Sequence, residues 1–333
     1  MKTVLFNKQG GVDVLEYTEV TDPEIKKDTE VKIRIHAAGV NPIDTKVRGG
    51  AYPLEDLPLI PGCDGAGEVI ETGSAVKNVS IGEQVYFFHG GISGINGNYA
   101  EYAVIEEHFL VRKPASLTYN QAAAAPLVLI TAWEALFDRA SLKAGDKVFI
   151  NAGAGGVGHV AIQLANYVGA QVCTTISSDE KAAFVKKLGA DCIINYKNED
   201  VEARVLEWTN GSGVDVALDN VGGKETEKLF PLTKVYGQIV SLLLPVTDLN
   251  WLSARVRNQT VSFEVMTTPQ LLGMNDAQKH QSWILEQCAS LLNDNKLTIE
   301  VRQELPLSDA AKAHQLIEQG DTIGKIILVT SDP

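Results

Sequence analysis

The sequence predicts an α/β chain in which a doubly wound parallel sheet is inserted within a β-rich domain. Three observations carry this prediction. The stretch KVFINAGAGGVGHVAIQLA, residues 147–165, runs from an apolar strand pattern through a glycine-rich turn into a helical pattern. Further apolar runs follow it, separated by segments of helical character. Before residue 120 the texture differs, with short strand-like runs bounded by Gly, Pro, Asn and Asp.

Along the chain, VKIRIHAAGV, GAGEVIETG, EQVYFF and NYAEYAVI supply the strands of the first region, where few helices are expected. Val148, Phe149 and Ile150 then form a short buried parallel strand, and Val160, Ala161, Leu164 and Ala165 fall at helical spacing. Between them Gly153, Gly155 and Gly158 satisfy G-x-G-x-x-G. The first suits a tight turn, the second lets backbone approach a pyrophosphate, and the third allows close packing of helix on strand. Free N–H groups at the helix start suit an anion. A Gly/Ala-rich turn can also be plain packing, but apolar runs at 171–176, 191–196, 214–218, 237–243 and 260–266 give it the context of a dinucleotide-binding sheet. Amphipathic helices at 276–293 and 308–319 precede a last apolar strand, GKIILVT. A terminal strand after helices is expected to return to the first domain. The expected division is therefore 1–124 plus 267–333 for the β-rich domain and 125–266 for the dinucleotide-binding domain.

Composition narrows the function classes. With 333 residues, 45% hydrophobic and 7% aromatic, the chain can build two sizeable cores. The balance of 29 basic against 42 acidic residues, net −13, opposes binding to nucleic acid or an anionic membrane, and no basic patch is visible. The N-terminal apolar run is too short for a signal peptide, and the longest apolar stretch, 122–133, contains a proline and ends at Glu134. A cytoplasmic protein is the expectation. Cys63, Cys173, Cys192 and Cys288 lie far apart and read as free thiols. The six histidines form no H-x-x-H or H-E-x-x-H motif.

Several segments together resemble the medium-chain dehydrogenase/reductase superfamily over essentially the whole chain, and within it the zinc-independent quinone oxidoreductase branch. They are GVNPIDTKVRGGAYP at 39–53, PGCDGAGEV at 61–69, GNYAEYAVI at 97–105, APLVLITAWEAL at 125–136, AGAGGVG at 152–158 and INYKNED at 194–200. The resemblance implies a Rossmann domain interrupting a GroES-like β domain. Zinc alcohol dehydrogenases of this superfamily take their first metal ligand, a Cys, in the region where this chain has Val40 and Asn41. Their Gly-His-Glu motif here reads Gly62, Cys63, Asp64, and their four-cysteine lobe is missing. A catalytic zinc needs three protein ligands, so no metal is expected. Cys63 is read as a small core thiol and Asp64 as a turn carboxylate.

Without a metal, the simplest chemistry is hydride transfer from NADPH to an acceptor that is already activated, a quinone or an α,β-unsaturated carbonyl. Asn41, held extended by Pro42, is the expected polar group beside the nicotinamide, although an Asx-turn closing its strand would also explain it. Tyr52 either lines the acceptor pocket or is an exposed turn tyrosine. Asp44 and Arg48, four apart, are expected to pair with each other. Lys46 stands where the branch often has tyrosine.

For the nucleotide, Gly155, Gly156, Val157 and Gly158 are the expected pyrophosphate contacts. By resemblance, the acidic residue of NAD sites falls at Ile176, followed by Ser177 and Ser178, which can hydrogen-bond a 2′-phosphate. Lys181 would add charge, Tyr196 resembles a residue packed near the same phosphate, and Asp179 belongs to the next helix N-terminus. The resemblance also assigns Asn220 to the adenosine side, the backbone of Ser241 and Leu242 to the nicotinamide carboxamide, and Thr131 to the nicotinamide end. An ordinary helix-start threonine explains Thr131 as well. Lys325 resembles a common ending of the superfamily, and a strand-edge lysine explains it equally. His159, directly after the glycine turn, is read as a partly exposed first-turn residue, with a contact to the pyrophosphate as the alternative. In this superfamily the last Rossmann strand, here TVSFEVM, commonly pairs across a two-fold axis, so a homodimer is expected. Two other readings stand beside this one: an alcohol dehydrogenase, with or without zinc, acting on simple alcohols or aldehydes, and an NADPH-binding protein without turnover.

Overall fold

A computed structural model describes residues 1–330. The chain divides into two compact units, one of Met1–Ile130 together with the segment from Thr267 onward, the other of Thr131–Met266.

The first unit is organised around the strand Glu30–Val40, in a seven-stranded sheet. Its first half pairs antiparallel with Tyr102–Glu106 and its second half with Lys325–Val329, while Asp64–Thr72 runs along its other side. Gln84–Phe88 and Val111–Arg112 extend the sheet one way, and Val301–Pro306 adds a parallel edge strand at the other. The alternation in VKIRI is physical: Val31, Ile33 and Ile35 are buried while Arg34 is exposed. Val31 and Ile33 pack with Val69, Val85, Phe87 and Ile105, each contributing about 1.5–3 kcal/mol of burial.

Two strand registers assemble a polar cluster inside this unit. Ile326 pairs with Val40 and Gly39 pairs with Asp64, so Asn41, Asp64 and Lys325 gather where three neighbouring strands meet. Gly39 permits the approach, since a Cβ there would lie 2.4 Å from the Ala123 carbonyl oxygen and 2.9 Å from Asp64 Cβ.

The second unit is a six-stranded, all-parallel sheet in the order Cys192–Asn195, Gln171–Ile176, Lys147–Ile150, Val214–Asp219, Thr233–Ser241, Thr260–Phe263. The strands fall on the expected runs, although Thr233–Ser241 begins four residues before the apolar pattern does. The helices Gly156–Val168, Asp179–Lys187 and Val201–Trp208 connect the first four strands. Ser178 and Asp200 cap the second and third of these through their side chains. The order puts Lys147–Ile150 beside Val214–Asp219, the point where the winding reverses and where such sheets bind ligands. No described helix is long and apolar enough to cross a membrane.

Candidate functional site

In the second unit the glycine turn is tied down from the neighbouring strand. The Ala152 and Gly153 N–H groups donate to Thr175 Oγ1 at 3.0 Å and to its carbonyl at 3.1 Å. A Cβ on Gly153 would meet Thr174 Oγ1 at 2.0 Å, and one on Gly158 would meet the Ala152 carbonyl at 2.4 Å. Both glycines therefore serve close packing. Gly155 is less crowded, with its nearest neighbour at 3.2 Å, and it caps the helix without any side-chain acceptor. The first-turn N–H groups of Gly156, Val157 and Gly158 thus have no carbonyl of their own helix to donate to. The cradle is formed by these helix-start N–H groups, over a turn that the two packed glycines hold close to its neighbours, and it fits a pyrophosphate. His159 departs from expectation: it is fully buried, with Nδ1 3.1 Å from the Gly155 carbonyl, so it braces the turn.

At the end of Gln171–Ile176 the residues expected to read the ribose come together. Lys181 Nζ donates to Ser177 Oγ at 3.2 Å, and the Tyr196 N–H donates to the Ile176 carbonyl at 3.2 Å. Tyr196 is exposed. Ser178 caps the helix by accepting from the Lys181 N–H, which leaves its hydroxyl hydrogen to donate, and Asp179 is the first residue of that helix.

Next to the turn, Asn220 donates its N–H to Asn151 Oδ1 at 2.6 Å and its Nδ2 to the Asn151 carbonyl at 2.7 Å. The organiser is Asp219, a residue that no sequence motif marks. Its buried carboxylate accepts from Asn151 Nδ2, the N–H groups of Val221 and Gly222, Thr226 Oγ1 and Ser241 Oγ. Asn220 Oδ1 is buried with no partner among the described residues. In the backbone of Ser241 and Leu242, the Ser241 carbonyl accepts from Glu264 N–H and the Leu242 N–H donates to the Asp219 carbonyl. Thr131 is buried within the helix Pro126–Trp133, not at its start, so it does not cap it.

The first unit holds a buried ionic cluster. Asn41, Asp44, Asp64 and Lys325 are all enclosed. Lys325 Nζ donates to Asn41 Oδ1 and, at 3.2 Å, to the Val40 carbonyl, and stands 3.8 Å from Asp64 Oδ2. Asn41 Nδ2 donates to Asp64 Oδ2 at 2.8 Å, and the Leu127 N–H donates to Asp64 Oδ1 at 2.9 Å. These bonds fix the orientation of the Asn41 amide and leave one Nδ2 hydrogen unassigned. Asp64 is thus a strand carboxylate in a network, not a turn residue, and Lys325 is a buried lysine, not an edge one.

Asp44 and Arg48 do not pair. The Asp44 carboxylate accepts from Asn41 N–H and Tyr99 O–H, whereas Arg48 turns to His314 Nδ1 and Glu318 on a helix far along the chain. Burial pushes Asp44 up to about 7 and Asp64 up to about 6, with Lys325 and neighbouring hydrogen bonds opposing the rise. Burial also lowers the Lys325 ammonium, against the pull of the two carboxylates. Tyr52 is partly exposed, and its carbonyl accepts from Gln9 Nε2 at 2.7 Å. Lys46 is lowered by burial.

Comparison with known proteins places the chain. Residues 27–115 match the alcohol dehydrogenase GroES-like domain, and residues 188–328 match a family described as zinc-binding dehydrogenase. A quinone oxidoreductase of Pseudomonas aeruginosa is 34% identical across 98% of this chain and 99% of its own length. An NADPH-dependent alkenal/one oxidoreductase of Arabidopsis thaliana is 38% identical over 74% of this chain and 64% of its own. Among solved structures, Escherichia coli quinone oxidoreductase complexed with NADPH superposes with TM-score 0.88 at 29% identity, covering 99% of this chain and all of that one. An NAD-dependent alcohol dehydrogenase superposes with TM-score 0.91 at 30% identity, with the same coverage.

The second family description raises zinc, and the residues at hand do not fit it. Cys63 is buried, its thiol pushed well above the usual range by burial and by the two carboxylates. The Asp64 carboxylate is held by Asn41, Leu127 and the lysine cation. No group of three or more His, Cys, Asp or Glu able to hold a metal occurs among the described residues. No chemical step is therefore derived through a metal. The two-unit fold, the glycine cradle and the full-length likeness to quinone oxidoreductases lead to one conclusion: the chain belongs to the quinone oxidoreductase-like branch of the medium-chain dehydrogenase/reductase superfamily.

Proposed function

We propose that this protein is an NADPH-dependent, metal-independent oxidoreductase that reduces a quinone or an α,β-unsaturated carbonyl compound. The observation that carries the reading is the chemistry at two strand ends. Ser177 and Lys181 meet where an NAD site would have a carboxylate, and an ammonium, that of Lys325, accompanies Asp64 where a metal would need free ligands. The alkenal/one oxidoreductase and the NADPH-complexed quinone oxidoreductase support the same acceptors and cofactor.

When bound, NADPH supplies a hydride to the acceptor. The chain's part is to hold and orient. The helix-start N–H groups of Gly156, Val157 and Gly158 receive the pyrophosphate, and Ser177, Ser178, Lys181 and Tyr196 form the pocket for the 2′-phosphate. Asn220 serves the adenosine side and Thr131 the nicotinamide end. The unassigned Asn41 Nδ2 hydrogen donates to the acceptor oxygen or the nicotinamide ribose, with Lys325 and Asp64 holding the amide in that orientation. Tyr52 flanks the acceptor. The proton that completes reduction comes from solvent. A homodimer through the edge strand Thr260–Phe263, where Phe263 is exposed, completes the reading. Light scattering would report a dimer mass.

The test is NADPH oxidation with a quinone, an enone and a simple ketone, each with and without chelator, repeated with NADH. Turnover of quinone or enone, preferring NADPH and indifferent to chelator, is expected. Turnover of the ketone alone, lost to chelator, would establish an alcohol dehydrogenase. NADPH binding without turnover of any acceptor would establish a silent binding protein.

A further inference from the structure

Two of the four cysteines face each other in the second unit. Cys173 and Cys192 are direct register partners on the parallel strands Gln171–Ile176 and Cys192–Asn195. Adjacent strands lie about 4.8 Å apart, which falls within the roughly 4.4–6.8 Å between Cα atoms that a disulfide spans. Both side chains belong to one core cluster with Phe149, Ile194 and Val205, so they project from the same face of the sheet. The two thiols therefore stand side by side in the core. Both are unbridged.

The two sulfurs are not equivalent. Cys173 is fully enclosed, whereas Cys192 begins its strand and keeps 8% of its surface open. Arg204, on the helix Val201–Trp208, bears its positive charge on the Cys192 thiol. That guanidinium also pairs with Glu199 at 3.3 Å and Glu207 at 3.9 Å, and its side chain is 45% exposed. The neighbouring Cys173 thiol and the Arg204 charge pull the Cys192 thiol below its ordinary value against its burial. The other two thiols move the opposite way: burial raises Cys288 to about 12, and burial with two carboxylates raises Cys63.

We propose that Cys173 and Cys192 are a site of reversible thiol oxidation by hydroperoxides, in which Cys192 is attacked first and Cys173 resolves it into a disulfide. In the first step the Cys192 thiolate takes the terminal oxygen of the peroxide and becomes a sulfenic acid, and the O–O bond breaks to leave an alcohol, or water from hydrogen peroxide, after protonation. In the second, the Cys173 sulfur attacks the sulfenic sulfur. The S–O bond breaks, the departing hydroxyl takes the Cys173 proton as water, and the S–S bond forms. The two thiols together lose two electrons, and these reduce the peroxide. Burial supplies the order: Cys192, the less enclosed residue of the pair, is the nucleophile, and its fully enclosed register partner Cys173 is the resolving thiol.

The full-length protein treated with hydrogen peroxide and digested with trypsin under non-reducing conditions tests this. The expected product joins the peptide Val148–Lys181 to Leu188–Lys197, is two hydrogens lighter than the separate peptides, and is reversed by dithiothreitol. Cys173→Ser should accumulate a dimedone-reactive sulfenic acid on Cys192. Arg204→Gln, a change at a half-exposed side chain, should slow bridging roughly tenfold, the loss expected when a neighbouring cation no longer favours the thiolate. Failure to form the linked peptide, dimedone labelling of Cys173 first, or bridging through Cys63 or Cys288 would each overturn the proposal.

Discussion

Replacing Lys325 by Met removes the ammonium that donates to the buried Asn41 side chain while keeping the volume close to that of the lysine stem. Lys325 Nζ stands 3.8 Å from Asp64 Oδ2, a separation worth about 4 kcal/mol between unit charges at an effective dielectric of 20. Removing one member of a buried pair costs about 3–5 kcal/mol. The cost depends on pH, because the stranded carboxylate can escape it by taking a proton. In the intact protein Asp64 already lies at about 6 and Asp44 at about 7, and loss of the lysine raises both further. A carboxyl raised in the folded state contributes stability that is complete below its unfolded value and is lost as pH rises through the folded value. The variant is therefore expected to lose about 3–5 kcal/mol at pH 8 and markedly less at pH 5. Guanidinium denaturation of both proteins at the two pH values measures this. An equal loss at pH 5 and pH 8 would refute the ionic role and reduce Lys325 to packing.

The other predictions concern single residues. Asp44→Asn keeps an acceptor for Asn41 N–H and Tyr99 O–H and removes a carboxyl held at about 7. Its stability relative to the intact protein should rise by up to about 4 kcal/mol between pH 4 and pH 8, and a flat difference across that range would contradict the assignment. Lys181→Ala removes the ammonium beside Ser177; the NADPH Michaelis constant should rise about tenfold, or about 1.4 kcal/mol, with that for NADH unchanged, and equal effects on both cofactors would count against a 2′-phosphate site. Gly158→Ala places a methyl 2.4 Å from the Ala152 carbonyl. NADPH binding followed by fluorescence should weaken by at least about tenfold, and an unchanged affinity would contradict the cradle.

The parallel sheet was legible because its strands are continuous apolar runs and its helices are periodic. The glycine turn was legible because three spaced glycines lie between an apolar strand run and a helical pattern, with further alternating runs behind them. Val301–Pro306 was not, since VRQELP has no apolar alternation and is a strand only through its pairing with Lys325–Val329. The same reason hid Lys325. In GKIIL it looks like an edge residue, and only the pairing of Ile326 with Val40 carries it to Asn41. The i,i+4 rule offered Asp44 to Arg48, but a burial-driven cap and a distant Glu318 each offered a better partner. Asp219 closes an apolar strand, where an acid is easily read as the start of a loop, yet it collects five hydrogen bonds from the surrounding chain.

The most direct test of hydride transfer without metal is the fate of a labelled hydride. NADPH carrying deuterium at the transferable nicotinamide C4 position is incubated with the protein and an enone, and the product is analysed by mass spectrometry alongside the metal content of the same sample. The expected result is one deuterium at the β-carbon of the reduced enone, at full rate in metal-free protein. Product without deuterium, or a rate that rises and falls with bound zinc, would contradict it.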